Sequence, residues 1–162
     1  GLKERKVKAT FFVLGIQAEK YPEILERISE EGHLIGNHTY SHILLKKNNR
    51  KEFKEDLKKA EELISEVTEE GVLYVRPPYG KWDKNLEQEL NMFRVLWTVD
   101  PKDWCKDDAP GIARTVLKNV KENDIILLHD RYKASVEAAL IIVDELTKQG
   151  YEFVTVDEIL LD

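Results

Sequence analysis

Two of the four histidines in this chain stand four residues apart, in His38-Thr39-Tyr40-Ser41-His42. That spacing brings both imidazoles to one side of a helical turn, close enough to share one divalent metal ion. An isolated pair of this kind is more often a surface or hydrogen-bonding pair. Here it directly follows the turn-forming Gly36-Asn37 at the end of an apolar run, where ligand sites are built. His33 has no such setting and reads as a loop residue. In Arg76-Pro77-Pro78-Tyr79-Gly80 two prolines fix the backbone and lack N–H groups, so the Tyr79 amide is the first donor after them. A rigid donor there suits a developing oxyanion, and Arg76 can clamp a carboxylate beside it. A plain strand-to-loop turn with an exposed arginine accounts for the same residues equally well. Asp100 and Asp103 lie between Trp97 and Trp104, and an indole face stacks well on a pyranose. Trp97 falls inside a strand pattern and reads as core, while Trp104, in the loop, is the better wall for a sugar groove. His129 ends the apolar run Leu127-Leu128; it is a core histidine unless a carboxylate partner fits it for general-acid work.

The elements that must carry these residues alternate. Residues 8–14 are an apolar run closed by Gly15, which predicts a buried strand. Pro22 sits where a first helical residue belongs, and Ile24, Leu25 and Ile28 keep helical spacing up to Gly32. Residues 34–36 read as a second strand. Asn49 with Glu52 forms a capping-box pattern. Behind it Phe53, Leu57, Ala60, Ile64 and Val67 mark one face of a helix closed near Gly71. Strands follow at 72–75, 93–99 and 124–128, and helices at 84–90, 110–120 and 135–148. Gly150 stops the last helix, and residues 153–156 predict a final strand. Such alternation means an α/β fold with a mostly parallel sheet. Periodicity does not choose between a closed barrel and an open sheet. His38, Arg76, Asp100 and His129 each fall at or just past the C-terminal end of a predicted strand, the edge where parallel sheets place active sites.

With 162 residues and no repeat or linker, the chain reads as one domain, residues 1–162. A net charge of −6 argues against a nucleic-acid partner. The basic stretch at residues 46–51 runs straight into Glu52, Glu55 and Asp56 and reads as a solvated helix start. Nothing approaches the ~18 apolar residues of a transmembrane helix, and the basic first residues lack the apolar stretch of a signal peptide. The single cysteine, Cys105, excludes an internal disulfide framework.

In this order, residues 8–15, 31–42, 76–80, 99–104 and 124–130 resemble the polysaccharide deacetylase family (the NodB-homology domain, carbohydrate esterase family 4) along essentially the whole chain. The resemblance implies a distorted, incomplete (β/α) barrel with a metal at its C-terminal mouth. The activity it implies is metal-dependent removal of N-acetyl groups from a polysaccharide such as peptidoglycan or a chitin-like oligosaccharide. By the same resemblance His38 and His42 are metal ligands, for zinc first, with cobalt, nickel or manganese as alternatives. Arg76 orients the catalytic base. The Tyr79 amide, in the turn with Pro78, binds the oxyanion, and Trp104 lines the groove. His129 is the general acid, Asp103 (with Asp100 in reserve) tunes it, and Leu127 helps form a pocket for the acetyl methyl. The implied partner is an N-acetylated glycan and the implied location extracellular or at the cell envelope. An O-acetylated xylan or a small cyclic amide would suit the same motifs.

One family motif is missing. T-F-D-D-G, whose aspartates are the base and the third metal ligand, does not occur in the chain. Asp56 falls mid-helix, and Asp83, Asp107 and Asp108 belong to other loops, so none replaces them. The expectation is a NodB-type domain truncated at its N-terminus and missing its first strand, starting inside the family's first helix at residues 2–7. Metal binding is then weak, and loss of a general base alone lowers turnover by about a hundred- to ten-thousand-fold. A sheet edge left open favours self-association. The alternative is a catalytically inactive carbohydrate- or metal-binding remnant of the fold.

Overall fold

The computed structural model describes residues 1–69 and 71–160, which divide into two units, Ala9–Leu96 and Gly1–Lys8 with Trp97–Asp162. In the first unit, β1 (Thr10–Val13), β2 (Leu34–Asn37), β3 (Tyr74–Val75) and β4 (Phe93–Arg94) form one parallel sheet in consecutive order. Right-handed crossovers between consecutive parallel neighbours put their helices on one face, the arrangement of a barrel wall. Those helices are α1 (Gly15–Lys20), α2 (Pro22–Glu30), α3 (Arg50–Thr68) and α4 (Asn85–Leu90). Phe53, Leu57 and Ile64 on the predicted stripe of α3 are fully buried. Phe53 and Leu57 join Val75, Leu86 and Met92 in one core, and Ile64 joins Ala18, Leu25 and Val72 in another. Gly36 is required where β2 passes its neighbours: a Cβ there would lie 2.5 Å from the Phe12 ring and 3.1 Å from the Tyr74 carbonyl oxygen.

Three local expectations for this unit change. Asn49 does flank α3, but its side chain makes no cap; Oδ1 accepts from the Lys46 amide (2.7 Å) and Nδ2 donates to the Leu44 carbonyl (3.0 Å), so it braces the preceding loop. Helix α1 was not predicted, because its first amides find acceptors outside the element: Gly15 N–H donates to Thr39 O and Ile16 N–H to Tyr40 O. The strand expected over 93–99 stops at Arg94, since the Val95 and Leu96 carbonyls face the Arg76 guanidinium instead of a ladder. The basic stretch at 46–51 behaves as expected of a helix start, with Arg50 paired to Asp83 and Glu89.

The second unit packs α5 (Ala109–Asn119) against α6 (Lys133–Lys148) around Ile112, Val116, Ala138 and Ile142. The run at 124–128 contributes only a single parallel bridge, Val99 to Ile126. Residues 2–6 form turns rather than the end of a helix, with Arg5 bidentate on Asp144 of α6 (2.7 and 2.8 Å). The strand expected at 153–156 is replaced by α7 (Val156–Leu160). Its start is set by Glu158, which accepts from the Thr155 amide (2.8 Å) and hydroxyl (3.0 Å). That Thr-x-x-Glu pattern outweighs the β-branched run.

Candidate metal centre and acid–base pair

His38 follows β2 directly, and its amide donates to the Val13 carbonyl, extending the ladder by one bond. His38 Nδ1 lies 2.5 Å from the Arg76 carbonyl oxygen. A carbonyl only accepts, so Nδ1 carries the hydrogen. A histidine held in this way through its other ring nitrogen is the usual arrangement behind a metal-bound imidazole. The His42 ring stands edge-on to it, 4.9 Å between centroids, and 5.0 Å from the Tyr79 ring. The pair comes together, but not on the expected helical turn. Residues 38–42 are a loop with Thr39 at φ 67° and His42 at φ 63°. For non-glycine residues, and above all for a β-branched one, each such conformation costs about 1–3 kcal/mol and needs external ties.

Asn37 and Asp56 supply those ties. Asn37 Oδ1 accepts from the Thr39 amide (2.7 Å), while its Nδ2 donates to the Leu57 carbonyl of α3 (2.9 Å). Asp56 Oδ2 accepts from the Tyr40 and Ser41 amides (2.7 and 3.0 Å), and Oδ1 accepts from the Ser41 hydroxyl (2.8 Å). Hydrogen bonds to a charged acceptor contribute about 1.5–3 kcal/mol each, enough to hold two left-handed residues. Tyr40 OH donates to Glu19, and Lys59 Nζ sits 3.4 Å from the centre of its ring. In the sequence Asp56 reads as a mid-helix acid. The available signal was its place on the apolar stripe, three residues after Phe53 and four before Ala60.

Arg76 is buried. Its guanidinium donates to the Val95 and Leu96 carbonyls (3.4 and 3.1 Å) and lies 4.1 Å from the centre of the Phe12 ring. Burial pushes its pKa down to about 10. Pro77 and Pro78 are buried, which stiffens the turn Pro78–Gly80, and Tyr79 projects from it, 65% exposed, with φ 58°. Among the described residues no group of three or more His, Cys, Asp or Glu side chains is arranged to hold a metal ion. His38 and His42 offer two nitrogen donors of the kind a divalent metal takes.

In the second unit the carboxylate of Asp103 is wholly buried. Oδ1 accepts from His129 Nδ1 (2.8 Å), and Oδ2 accepts from the His129 backbone amide (2.7 Å). Burial works to raise the Asp103 pKa, but the His129 ring and amide outweigh it, and the acid is held below the usual carboxylate range. The Ser135 hydroxyl adds to this lowering without meeting strict hydrogen-bond geometry to any partner. With Nδ1 committed to Asp103, His129 has Nε2 left to exchange a proton. Asp100 does not reach His129: it accepts from the Lys102 amide (2.8 Å) and borders a polar depression of about 420 Å³ with Thr98, Thr115, Asn119, Lys121 and Asp124. Leu127 is buried, while Trp104 is 54% exposed in the loop, free to meet a ligand.

The sequence profile described as polysaccharide deacetylase matches residues 1–95. The chain belongs to the polysaccharide deacetylase family. It is 39% identical over 158 residues to the peptidoglycan-N-acetylmuramic acid deacetylase PdaC of Bacillus subtilis, covering 98% of this chain and 34% of that protein. It is 41% identical over 161 residues to a peptidoglycan-N-acetylglucosamine deacetylase of Bacillus cereus, covering 95% and 58%. The chain thus spans between a third and three-fifths of these two curated relatives. The solved PdaC structure superposes with a TM-score of 0.93 at 39% identity, over 98% of this chain and 78% of that one. The α/β fold is therefore that of the NodB-type deacetylases, with its parallel sheet part of an incomplete barrel. A pseudoenzyme of carbohydrate esterase family 4 from Bacillus anthracis is also similar, with a TM-score of 0.89 at 26% identity over 98% of this chain and 57% of that one.

Proposed function

We propose that this chain carries the hydrolysis of N-acetyl groups on a cell-wall glycan, peptidoglycan or a chitin-like oligosaccharide, at a site dependent on a divalent metal, zinc first. The observation that carries the reading is the His38–His42 pair, 4.9 Å between ring centres, with His38 Nδ1 fixed on the Arg76 carbonyl. Family membership and two relatives named as peptidoglycan deacetylases support the substrate class and a place at the cell envelope. His38 and His42 would hold the ion. When bound, it supplies Lewis acidity toward the acetyl carbonyl and acidifies water to a pKa of about 7.

The remaining steps belong to the protein's own groups. Water oxygen bonds to the acetyl carbon, and the Tyr79 amide donates to the oxygen that becomes negative. His129, protonated, gives its Nε2 proton to the nitrogen as the carbon–nitrogen bond breaks, so the products are acetate and a free amine. Asp103 holds the ring by Nδ1 and balances the imidazolium charge. Trp104 offers an indole face to a sugar ring, and Leu127 bounds the pocket for the acetyl methyl. No residue of this chain is given the role of base, so the proton that the attacking water gives up passes to solvent. The test is acetate release from peptidoglycan and from acetylated chito-oligosaccharide, with and without a chelator. Chelator-sensitive acetate is expected; chelator-insensitive release would refute the metal dependence.

One observation favours a second reading. A family 4 pseudoenzyme stands among the similar solved structures, which supports a carbohydrate- or metal-binding remnant of the fold. Glycan binding with no acetate release would select it.

A further inference from the structure

The loop that carries both histidines is clamped from two sides. Its carbonyls at Thr39 and Tyr40 receive the first amides of α1, and its amides at Thr39, Tyr40 and Ser41 go to the side chains of Asn37 and Asp56. Asn37 belongs to the strand just before the loop, whereas Asp56 reaches it from α3, fifteen and sixteen residues on in the chain. With the Ser41 hydroxyl included, Asp56 accepts three bonds, all from the segment between the two histidines. Gly15 lets that segment come close, since a Cβ there would lie 2.7 Å from the Tyr40 ring and 3.0 Å from Ala60 of α3.

We propose that Asp56 is a positioning residue for the metal centre: by holding the Tyr40 and Ser41 amides it keeps Thr39 and His42 in their left-handed conformations and so brings the His42 imidazole to His38. The inference rests on the metal reading above. Without Asp56 nothing else on α3 accepts from those two amides. The segment relaxes toward ordinary backbone angles, and His42, at the far end from the sheet, moves most. Asp56 acts through the loop, not on the reacting atoms.

The test uses cobalt(II) titration, followed by d–d absorption, and hydrogen exchange at the Tyr40 and Ser41 amides of the metal-free protein. Asp56→Ala is expected to lower cobalt affinity about 10- to 100-fold, the usual effect of removing an outer partner, and to abolish protection at both amides. Asp56→Asn keeps an acceptor for the two amides and is expected to restore most of the affinity. Asp56→Leu continues the apolar stripe of α3 and repeats the test with helix packing retained, should the alanine variant fail to fold. Undiminished cobalt affinity in Asp56→Ala or Asp56→Leu, or unchanged amide protection, overturns the proposal. If the unaltered chain takes up no cobalt, yet Asp56→Ala loses protection, the metal assignment falls and the positioning role stands.

Discussion

Replacing Asp103 with Asn probes the buried Asp103–His129 pair, to which the proposed function gives proton delivery. The carboxylate is wholly buried, and its two oxygens accept from two donors of the same residue, His129 Nδ1 at 2.8 Å and the His129 amide at 2.7 Å. Asn offers one carbonyl oxygen, and its NH₂ must face the other donor. One charge-assisted bond is lost, at about 1.5–3 kcal/mol, and a buried donor is left unsatisfied, so a total near 3 kcal/mol is expected. For a chain of this size that lowers Tm by about 6–12 °C. The pH dependence follows from the direction of the shift. Asp103 is held below its ordinary value of 3.8 when folded. Its contribution is therefore complete above the unfolded value and fades as pH falls through the lower folded one. Thermal unfolding by circular dichroism should show the full gap at neutral pH, closing only below about pH 4. A gap under about 1 kcal/mol at neutral pH, or one equally large in strong acid, would refute the reasoning.

Arg76→Met removes a buried cation whose pKa burial pushes down to about 10, a burial cost of about 3 kcal/mol. It also strips the Val95 and Leu96 carbonyls of a donor, at about 1–3 kcal/mol each; the urea midpoint should therefore move little while acetate release falls, and a collapse of stability would show the guanidinium to be structural. Thr155→Ala deletes the hydroxyl bonded to Glu158 at the start of α7 and should cost about 1 kcal/mol in urea unfolding. Arg5→Ala breaks the partly exposed bidentate pair with Asp144; the loss should stay within about 1 kcal/mol and shrink in high salt.

The legible part of this fold was whatever one element decides for itself. The stripe Phe53, Leu57, Ala60, Ile64 set α3, and the apolar runs at 8–14 and 34–36 set β1 and β2. The illegible part was set by partners distant in sequence. Helix α1 exists because Thr39 and Tyr40 cap it, and β4 is short because Arg76 turns two carbonyls away. The closeness of the His38 and His42 rings and the Asp103–His129 contact could be read. The conformation that presents them could not, because Asp56 reads as an ordinary helix-surface acid unless its place on the stripe is weighed.

The H-x-x-x-H spacing has two physical solutions, and this chain takes the less obvious one. On a helix, residues four apart share a face, but their amides and carbonyls are spent on the helix's own ladder. In the loop observed here the rings stand 4.9 Å apart, while the backbone between them stays available to its neighbours. Thr39 and Tyr40 use their carbonyls to start α1, and Tyr40 and Ser41 use their amides to dock on α3. The ligand loop is thus tied into two helices as well as the sheet. The cost is two non-glycine residues in left-handed geometry, and that cost is why an acid on α3, remote from both imidazoles in sequence, becomes part of how they are held.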